Sequence, residues 1–245
     1  MSFVVPACNA ELGIAAVVQQ IGRRLDDLPG SEILVVENGS TDATWDVLCD
    51  TARQWTWSTP LVPQRSVTGI GAAYRAGVAK ASGTHVLLSA DDLPFGFTDL
   101  EEFLRLPDTT QLAIGSKAHP RSVVNRSLGR VAATKAFGLA RRGLLNSQVG
   151  DTQGTFWLDA ELARRVVCRT VEDGFAMTTE LVILAERDGV RPVEVPVALL
   201  ASHQGASRIH WAADTVDMLG ALVRIRRRWG RSAGPRKPAV RREQS

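Results

Sequence analysis

The 245-residue chain has only three cysteines, Cys8, Cys49 and Cys168, an odd number without metal-ligand spacing. That argues against a disulfide framework or a zinc centre, and it fits a reducing compartment. No stretch approaches the roughly 18 uncharged apolar residues that a membrane-spanning helix needs, so no spanning anchor is expected. The start, Met1-Ser2-Phe3-Val4-Val5-Pro6, has no basic segment ahead of an apolar run, and no signal peptide is expected. The four histidines (His85, His119, His203, His210) also lack ligand spacing and read as structural or surface residues. Aromatics make up 6% of the chain, and no aromatic-rich surface accompanies its arginines, so nucleic acid is not an expected partner.

What is present suffices for a folded domain: 44% hydrophobic and 22% charged residues. A net charge of +3 hides an asymmetry, because Arg224 to Ser245 carries nine basic residues and one acid. The remainder is slightly acidic. A basic end suggests an anionic partner such as a membrane surface; a solvated terminus is the plainer alternative.

Short β-branched runs alternate with helical patterns through the first half. Phe3-Val4-Val5, Ile33-Leu34-Val35-Val36, Leu61-Val62 and Val86-Leu87-Leu88 read as strands. Between them lie helices marked by Ile14 to Leu25, Thr41 to Gln54 and Gly71 to Ala81, with another carrying Phe97, Leu100, Phe103 and Leu104. This alternation predicts an α/β fold with a mostly parallel sheet flanked by helices, an open αβα sandwich. Further on, Leu112-Ala113-Ile114, Thr155 to Leu158 and Arg191 to Leu199 read as strands. Arg126 to Leu145, Gly174 to Arg187 and Trp211 to Trp229 read as helices. The expected organisation is one domain over residues 1–210, an amphipathic basic helix over 211–231 and a basic disordered tail over 232–245. That helix either packs on the domain or rests on an anionic bilayer.

In parallel sheets ligands sit at the carboxyl ends of strands, where this sequence concentrates its polar residues. Glu37-Asn38-Gly39-Ser40-Thr41-Asp42 ends one strand and opens a helix, with Ser40 or Thr41 as the expected cap. Gly69-Ile70-Gly71 opens another helix, either presenting N–H groups to an anion or packing tightly. Ser89-Ala90-Asp91-Asp92 places two acids at a strand end, where they could hold a hard divalent cation; Asp92 ahead of Pro94 could instead cap a helix.

Together with Val5-Pro6-Ala7-Cys8-Asn9 and Asp151-Thr152-Gln153-Gly154-Thr155-Phe156, these motifs resemble, in order and spacing, family 2 glycosyltransferases of the GT-A fold. Gly115-Ser116-Lys117, Glu180 and Gly205-Ala206-Ser207-Arg208 are most similar to the dolichyl- or polyprenyl-phosphate branch. The resemblance spans about residues 3 to 210. It implies an inverting transfer of a hexose, glucose or mannose, from a UDP- or GDP-sugar to a polyprenyl phosphate, assisted by Mg²⁺ or Mn²⁺. It further implies that Pro6, Ala7, Glu11, Asn38, Ser89 and Ala90 border the nucleotide-sugar. Asp91 would be the principal metal ligand with Asp92 as helper, and Asp151 a base or sugar-orienting carboxylate. Lys117, Arg121, Arg126, Gln153 and Arg208 would face the acceptor phosphate, with Arg130 one turn from Arg126.

This chain departs from the family pattern at four places: Cys8 stands for Tyr, Ala10 for Glu, Glu37-Asn38 for two aspartates, and Ser89 for the first metal-motif aspartate. Many members of the branch also carry transmembrane helices. The expectation is a cytoplasmic protein, peripheral on the inner face of the membrane. Two alternatives remain open: the same fold with a non-lipid hydroxyl acceptor, and a non-catalytic nucleotide-sugar-binding protein.

Overall fold

The computed structural model describes residues 1–124, 128–200 and 211–230, the side chains of 128–135 and 211–216 excepted. Seven strands form one sheet: β1 (Ser2–Ala7), β2 (Glu32–Glu37), β3 (Leu61–Arg65), β4 (His85–Leu88), β5 (Leu112–Ser116), β6 (Thr155–Asp159) and β7 (Val193–Pro196). Their order is β3-β2-β1-β4-β6-β5-β7. All pairings are parallel except those of β6, which runs antiparallel to both β4 and β5. The helices are α1 (Ile14–Leu25), α2 (Thr44–Arg53), α3 (Ile70–Lys80), α4 (Thr98–Phe103), α5 (Leu128–Leu145), α6 (Ala160–Val167), α7 (Ala176–Arg187) and α8 (Trp211–Trp229).

The continuous apolar runs of β1 and β2 are explained by burial on both faces, the usual setting of parallel strands. Along β1, Val4 points into a core shared with α3, α6 and α7, while Phe3, Val5 and Ala7 point into one shared with α1, α2 and α4. The alternation is the two-residue period of a strand dividing its side chains between layers. A third, smaller cluster joins Leu145 of α5, Ile183 of α7, and Leu222 and Ile225 of α8. Leu222, Ile225 and Trp229 of the C-terminal helix therefore pack on the domain, and Arg224, Arg226 and Arg228 reach back to protein acceptors.

Several boundaries differ from the sequence expectation. Helix α2 starts at Thr44, not Thr41, and neither Ser40 nor Thr41 caps it. Instead the Asp42 carboxylate accepts from the Thr44 N–H at 3.0 Å. Asp92 does not cap α4, which begins six residues later at Thr98 with Phe97 at its N-cap. The last strand is shorter than Arg191 to Leu199, with a bridge from Val123 to Ala198 extending it. Helix α6 was absent from the sequence reading; its N-terminus is capped by Asp159, whose carboxylate accepts from Glu161 and Leu162 N–H. The Gly69-Ile70-Gly71 pair serves packing. The Gly71 N–H donates to the Asp173 carbonyl at 2.7 Å, and a Cβ on Gly69 would lie 2.7 Å from the same oxygen.

Glycine is likewise dictated at position 154, where a Cβ would run into the backbone carbonyl of Gly115 on the neighbouring strand. Backbone has little room to yield, unlike the tip of a flexible side chain. Gly154→Ala is expected to lower unfolding stability by about 2 kcal/mol or more in urea titrations; an unchanged midpoint would refute this reading of the packing.

Candidate active site

Two groups of residues meet the carboxyl edge of the sheet. The first is built by the turns after β1, β2 and β4. Pro6 and Ala7 finish β1 as buried residues, and Asn38 follows β2 with its side chain 5% exposed. The Asn38 Nδ2 donates to the Ala7 carbonyl at 3.1 Å, which ties the two strand ends together and turns the amide's donor inward. Gly39 takes φ +88, and a Cβ there would strike the Thr68 hydroxyl, so the turn demands glycine on both counts.

The loops after β1 and β2 are then laced to each other. Asn9, at φ 50, accepts from the Thr41 N–H at 2.9 Å, and its own N–H donates to Ser40 Oγ at 3.1 Å. The Ala10 N–H donates to Thr44 Oγ1 at 2.7 Å, and the Ala43 N–H donates to Glu11 Oε2 at 2.9 Å. Glu37 accepts from the Ser40 N–H at 2.5 Å and pairs with Arg65 at 3.5 Å. Glu11 is thus an exposed residue whose carboxylate is engaged in holding a loop.

Beyond β4, Ser89 is buried at 3% exposure, and its carbonyl accepts from the Tyr74 hydroxyl at 2.9 Å. Asp91 is half-buried and Asp92 exposed. Burial pushes the Tyr74 hydroxyl well above its ordinary value, and the charges of Asp91 and Asp92 add to the shift. Burial, then the charges of Glu37, Asp91 and Asp42, likewise push the Cys8 thiol up, so Cys8 is no activated nucleophile. These couplings put Asp91 in the same negative field as the β1 and β2 turns.

The second group surrounds Asp151. Its motif precedes β6, yet it reaches the same edge because β6 is antiparallel: Leu88 pairs with Phe156, and Gly115 with Thr155. Asp151, 7% exposed, accepts from the Lys117 N–H at 3.0 Å and the Gln153 N–H at 2.8 Å, and pairs with Lys117 Nζ at 3.1 Å. Burial acts to raise its pKa, but Lys117 and these N–H groups outweigh burial and hold the carboxyl below its ordinary value. Lys117 also donates to the Gln153 carbonyl and lies over the Phe95 ring at 5.4 Å, which connects this group to the Asp91 segment. Gln153 Nε2 reaches the Phe175 carbonyl and Thr178 Oγ1, both at 3.1 Å. Arg121 is exposed in the turn after β5. Arg126 and Arg208 lie outside the described residues, as do the Gly205 loop, the tail over 232–245 and the side chain of Arg130.

Two positioning residues escaped the sequence reading. Arg141 of α5, 1% exposed, donates to the Val149 carbonyl and to Thr152 Oγ1. Glu194 of β7 accepts from the Gly150 N–H at 2.8 Å and the Asp151 N–H at 3.2 Å. Between them they fix the backbone that presents Asp151. Their signal was faint: an arginine in a helix reads as a solvated face, and Glu194 as an outward strand residue.

Among the described residues no three acidic, histidine or cysteine side chains converge as a ready metal cage. Two adjacent carboxylates are hard oxygen donors, and a cation held by one or two carboxylates with the rest of its shell from phosphate and water suits them. The donor set fits a Mg²⁺- or Mn²⁺-type ion shared with a diphosphate.

A mostly parallel sheet with polar turns gathered at one edge and an acidic pair after the fourth strand is the architecture of the GT-A glycosyltransferase fold. The model of the family "Glycosyl transferase family 2" matches residues 2–164, and the chain belongs to that family; it is a glycosyltransferase. The chain is 28% identical over 236 residues to an undecaprenyl-phosphate mannosyltransferase of Micrococcus luteus, covering 94% of this chain and 93% of the relative. It is also 28% identical over 215 residues to a polyprenol monophosphomannose synthase of Mycolicibacterium smegmatis, covering 84% and 79%. A solved structure of glucosyl-3-phosphoglycerate synthase from Mycobacterium tuberculosis with UDP superposes with a TM-score of 0.65 at 20% identity, over 91% of this chain and 79% of that one. The same enzyme with Mg²⁺ and UDP also scores 0.65, over 95% and 80%. At that identity the likeness is one of fold.

The depressed Asp151 pKa has a consequence for stability. A carboxylate favoured in the folded state contributes fully above its unfolded value, near 3.8, and the contribution is lost as pH falls through the lower folded value. The difference in urea stability between wild type and Asp151→Asn should be constant from about pH 5 to 7 and shrink below about pH 4. A difference that grows on acidification would contradict the Lys117 pairing.

Proposed function

We propose that the protein transfers a hexose from a nucleoside-diphosphate sugar to the phosphate of a polyprenol, with inversion at the anomeric carbon. The names of the two curated relatives support a polyprenyl-phosphate acceptor and favour mannose. The observation that carries the reading is the state of Asp151. Its carboxylate is ionised, ion-paired with Lys117 and held by two N–H groups, so it is a weak proton acceptor. A hydroxyl acceptor requires a base to take its proton as the bond forms. A phosphate acceptor is already anionic at neutral pH and requires positioning.

In this reading Pro6, Ala7 and Asn38 border the nucleotide from the ends of β1 and β2, with Glu11 shaping the loop beside them. Ser89, Ala90 and Asp91 face the sugar diphosphate at the end of β4. Asp91, helped by Asp92, would hold a divalent cation, which when bound supplies neutralisation of the charge that develops on the departing diphosphate. Asp151 orients Lys117 and the Gln153 backbone on the acceptor side. Lys117, Arg121 and Gln153, joined by Arg126 and Arg208, are assigned to the acceptor phosphate, for which bidentate arginine is well suited.

No described helix is long and apolar enough to cross a membrane. A cytoplasmic protein meeting its lipid acceptor peripherally, at an anionic inner membrane face, is the corresponding proposal. It draws on the basic residues beyond Arg224.

The test is incubation with a short polyprenyl phosphate, Mg²⁺ or Mn²⁺, and labelled GDP-mannose or UDP-glucose in parallel. Lipid-extractable label is expected from one donor, lost with EDTA and with Asp91→Ala. Asp151→Asn should slow transfer by less than the about 10²-fold that loss of a general base costs at minimum. Donor binding without transfer from either donor would overturn the reading.

A further inference from the structure

Helix α8 is joined to the acceptor side of the site through two acids of the α6–α7 region. Glu180, fully buried on α7, accepts from the Trp229 indole N–H at 2.6 Å and from Arg228 at 3.2 Å through Oε1. Its Oε2 accepts from the Val171 and Glu172 backbone N–H groups at 2.7 and 2.8 Å. The Glu172 carboxylate in turn takes Arg224 in a fork, at 3.1 Å from Nε and 2.6 Å from Nη2. One carboxylate therefore grips the end of α8 with one oxygen and the loop 171–175 with the other.

That loop is held between the start of α3 and the Asp151 group. Its Glu172 carbonyl accepts from Arg75 at 3.1 Å, and its Asp173 carbonyl accepts from the Gly71 N–H, which fixes it to the start of α3. Gly69 and Gly71 admit it so closely that neither position has room for a Cβ. At the other end the Phe175 carbonyl accepts Gln153 Nε2. Gln153 supplies the N–H and the carbonyl that hold Asp151 and Lys117. Hydrogen bonds link Trp229 through Glu180 to Val171 and Glu172 at one end of the loop, and the loop backbone carries the connection to Phe175, which Gln153 binds.

We infer that Glu180 is a positioning residue through which the docked C-terminal helix sets the acceptor side of the site, with the Trp229 N–H as the contact that reports docking. Among the described residues, Glu180 hydrogen-bonds to none of those assigned to substrate; it acts through the 171–175 loop. The donor turns after β1 and β2 are braced by their own separate network, so undocking α8 should be felt on one side only. The buried carboxylate leaves little slack, because its loss of a partner strands a charge away from water.

The experiment compares full-length wild type with Trp229→Phe, which keeps the ring and removes the indole N–H, and with Arg228→Lys, which keeps the charge. Amide hydrogen exchange is read over 150–154, 171–175 and the loops at 8–13 and 38–44. Trp229→Phe is expected to raise exchange about tenfold over 171–175 and 150–154 and leave the donor loops unchanged, with Arg228→Lys close to wild type. In kinetics, which rest on the proposed transfer, the acceptor KM should rise several-fold with the donor KM unchanged. Faster exchange confined to α8, or spread evenly over all four segments, would overturn the inference. The exchange result decides it even if wild type fails to use a polyprenyl phosphate, an outcome that counts against the proposed function alone.

Discussion

Backbone N–H groups stranded at the carboxyl edge of the sheet are the constraint around which this molecule is organised. Parallel strands end there in turns that have no ladder partner, and a buried N–H without an acceptor is costly. The chain meets that cost with carboxylates. Glu37 takes the Ser40 N–H, Asp42 that of Thr44, Glu11 that of Ala43, Glu194 those of Gly150 and Asp151, and Glu180 those of Val171 and Glu172. Each of these acids fixes a loop, and Glu37 and Asp42 share with Asp91 a negative field at the turns after β1 and β2. A cation-bridged diphosphate belongs in such a field; a bare diphosphate would be repelled by it.

Asp91 follows β4 directly, on a segment braced by the Tyr74 hydrogen bond to Ser89 and by the contact of Phe95 with Lys117. Asp151 is ionised but occupied. A site in which Asp91 and Asp92 are proposed to hold a cation and Asp151 is tied to a lysine is poorly equipped to remove a proton from an alcohol. It is well equipped to arrange two phosphates, one leaving and one attacking. Ser89 stands where the family pattern has an acid, so the proposed carboxylate donors there are the adjacent pair, Asp91 and Asp92.

Much of the frame was legible in the residues. The unbroken apolar runs of β1, β2 and β4 announced strands buried on both faces, and the polar turns after them were where a parallel sheet gathers its ligands. Less legible was the place of β6. Nothing local in Thr155 to Asp159 says that it inserts antiparallel between β4 and β5, because strand order is settled by long-range pairing. Yet that insertion is what carries Asp151, which precedes its strand, to the edge shared with Asp91. The start of α2 was misjudged because Ser40 and Thr41 belong to the turn laced to Asn9, and the helix begins only at Thr44 with Ala43 at its N-cap and no side-chain cap. Arg141 and Glu194 were missed because their roles depend on burial, and charge in a sequence reads as exposure.

The central claim is that the acceptor is a phosphate, and the most direct measurement offers the same isoprenoid with and without it. With metal and the productive labelled donor, transfer to a short polyprenyl phosphate should proceed, while the dephosphorylated polyprenol accepts nothing above background. Equal labelling of the free alcohol, or of a soluble hydroxyl compound in preference to either lipid, would contradict the account: it would mean that some group in this site removes a proton that Asp151, held by Lys117, is in no state to take.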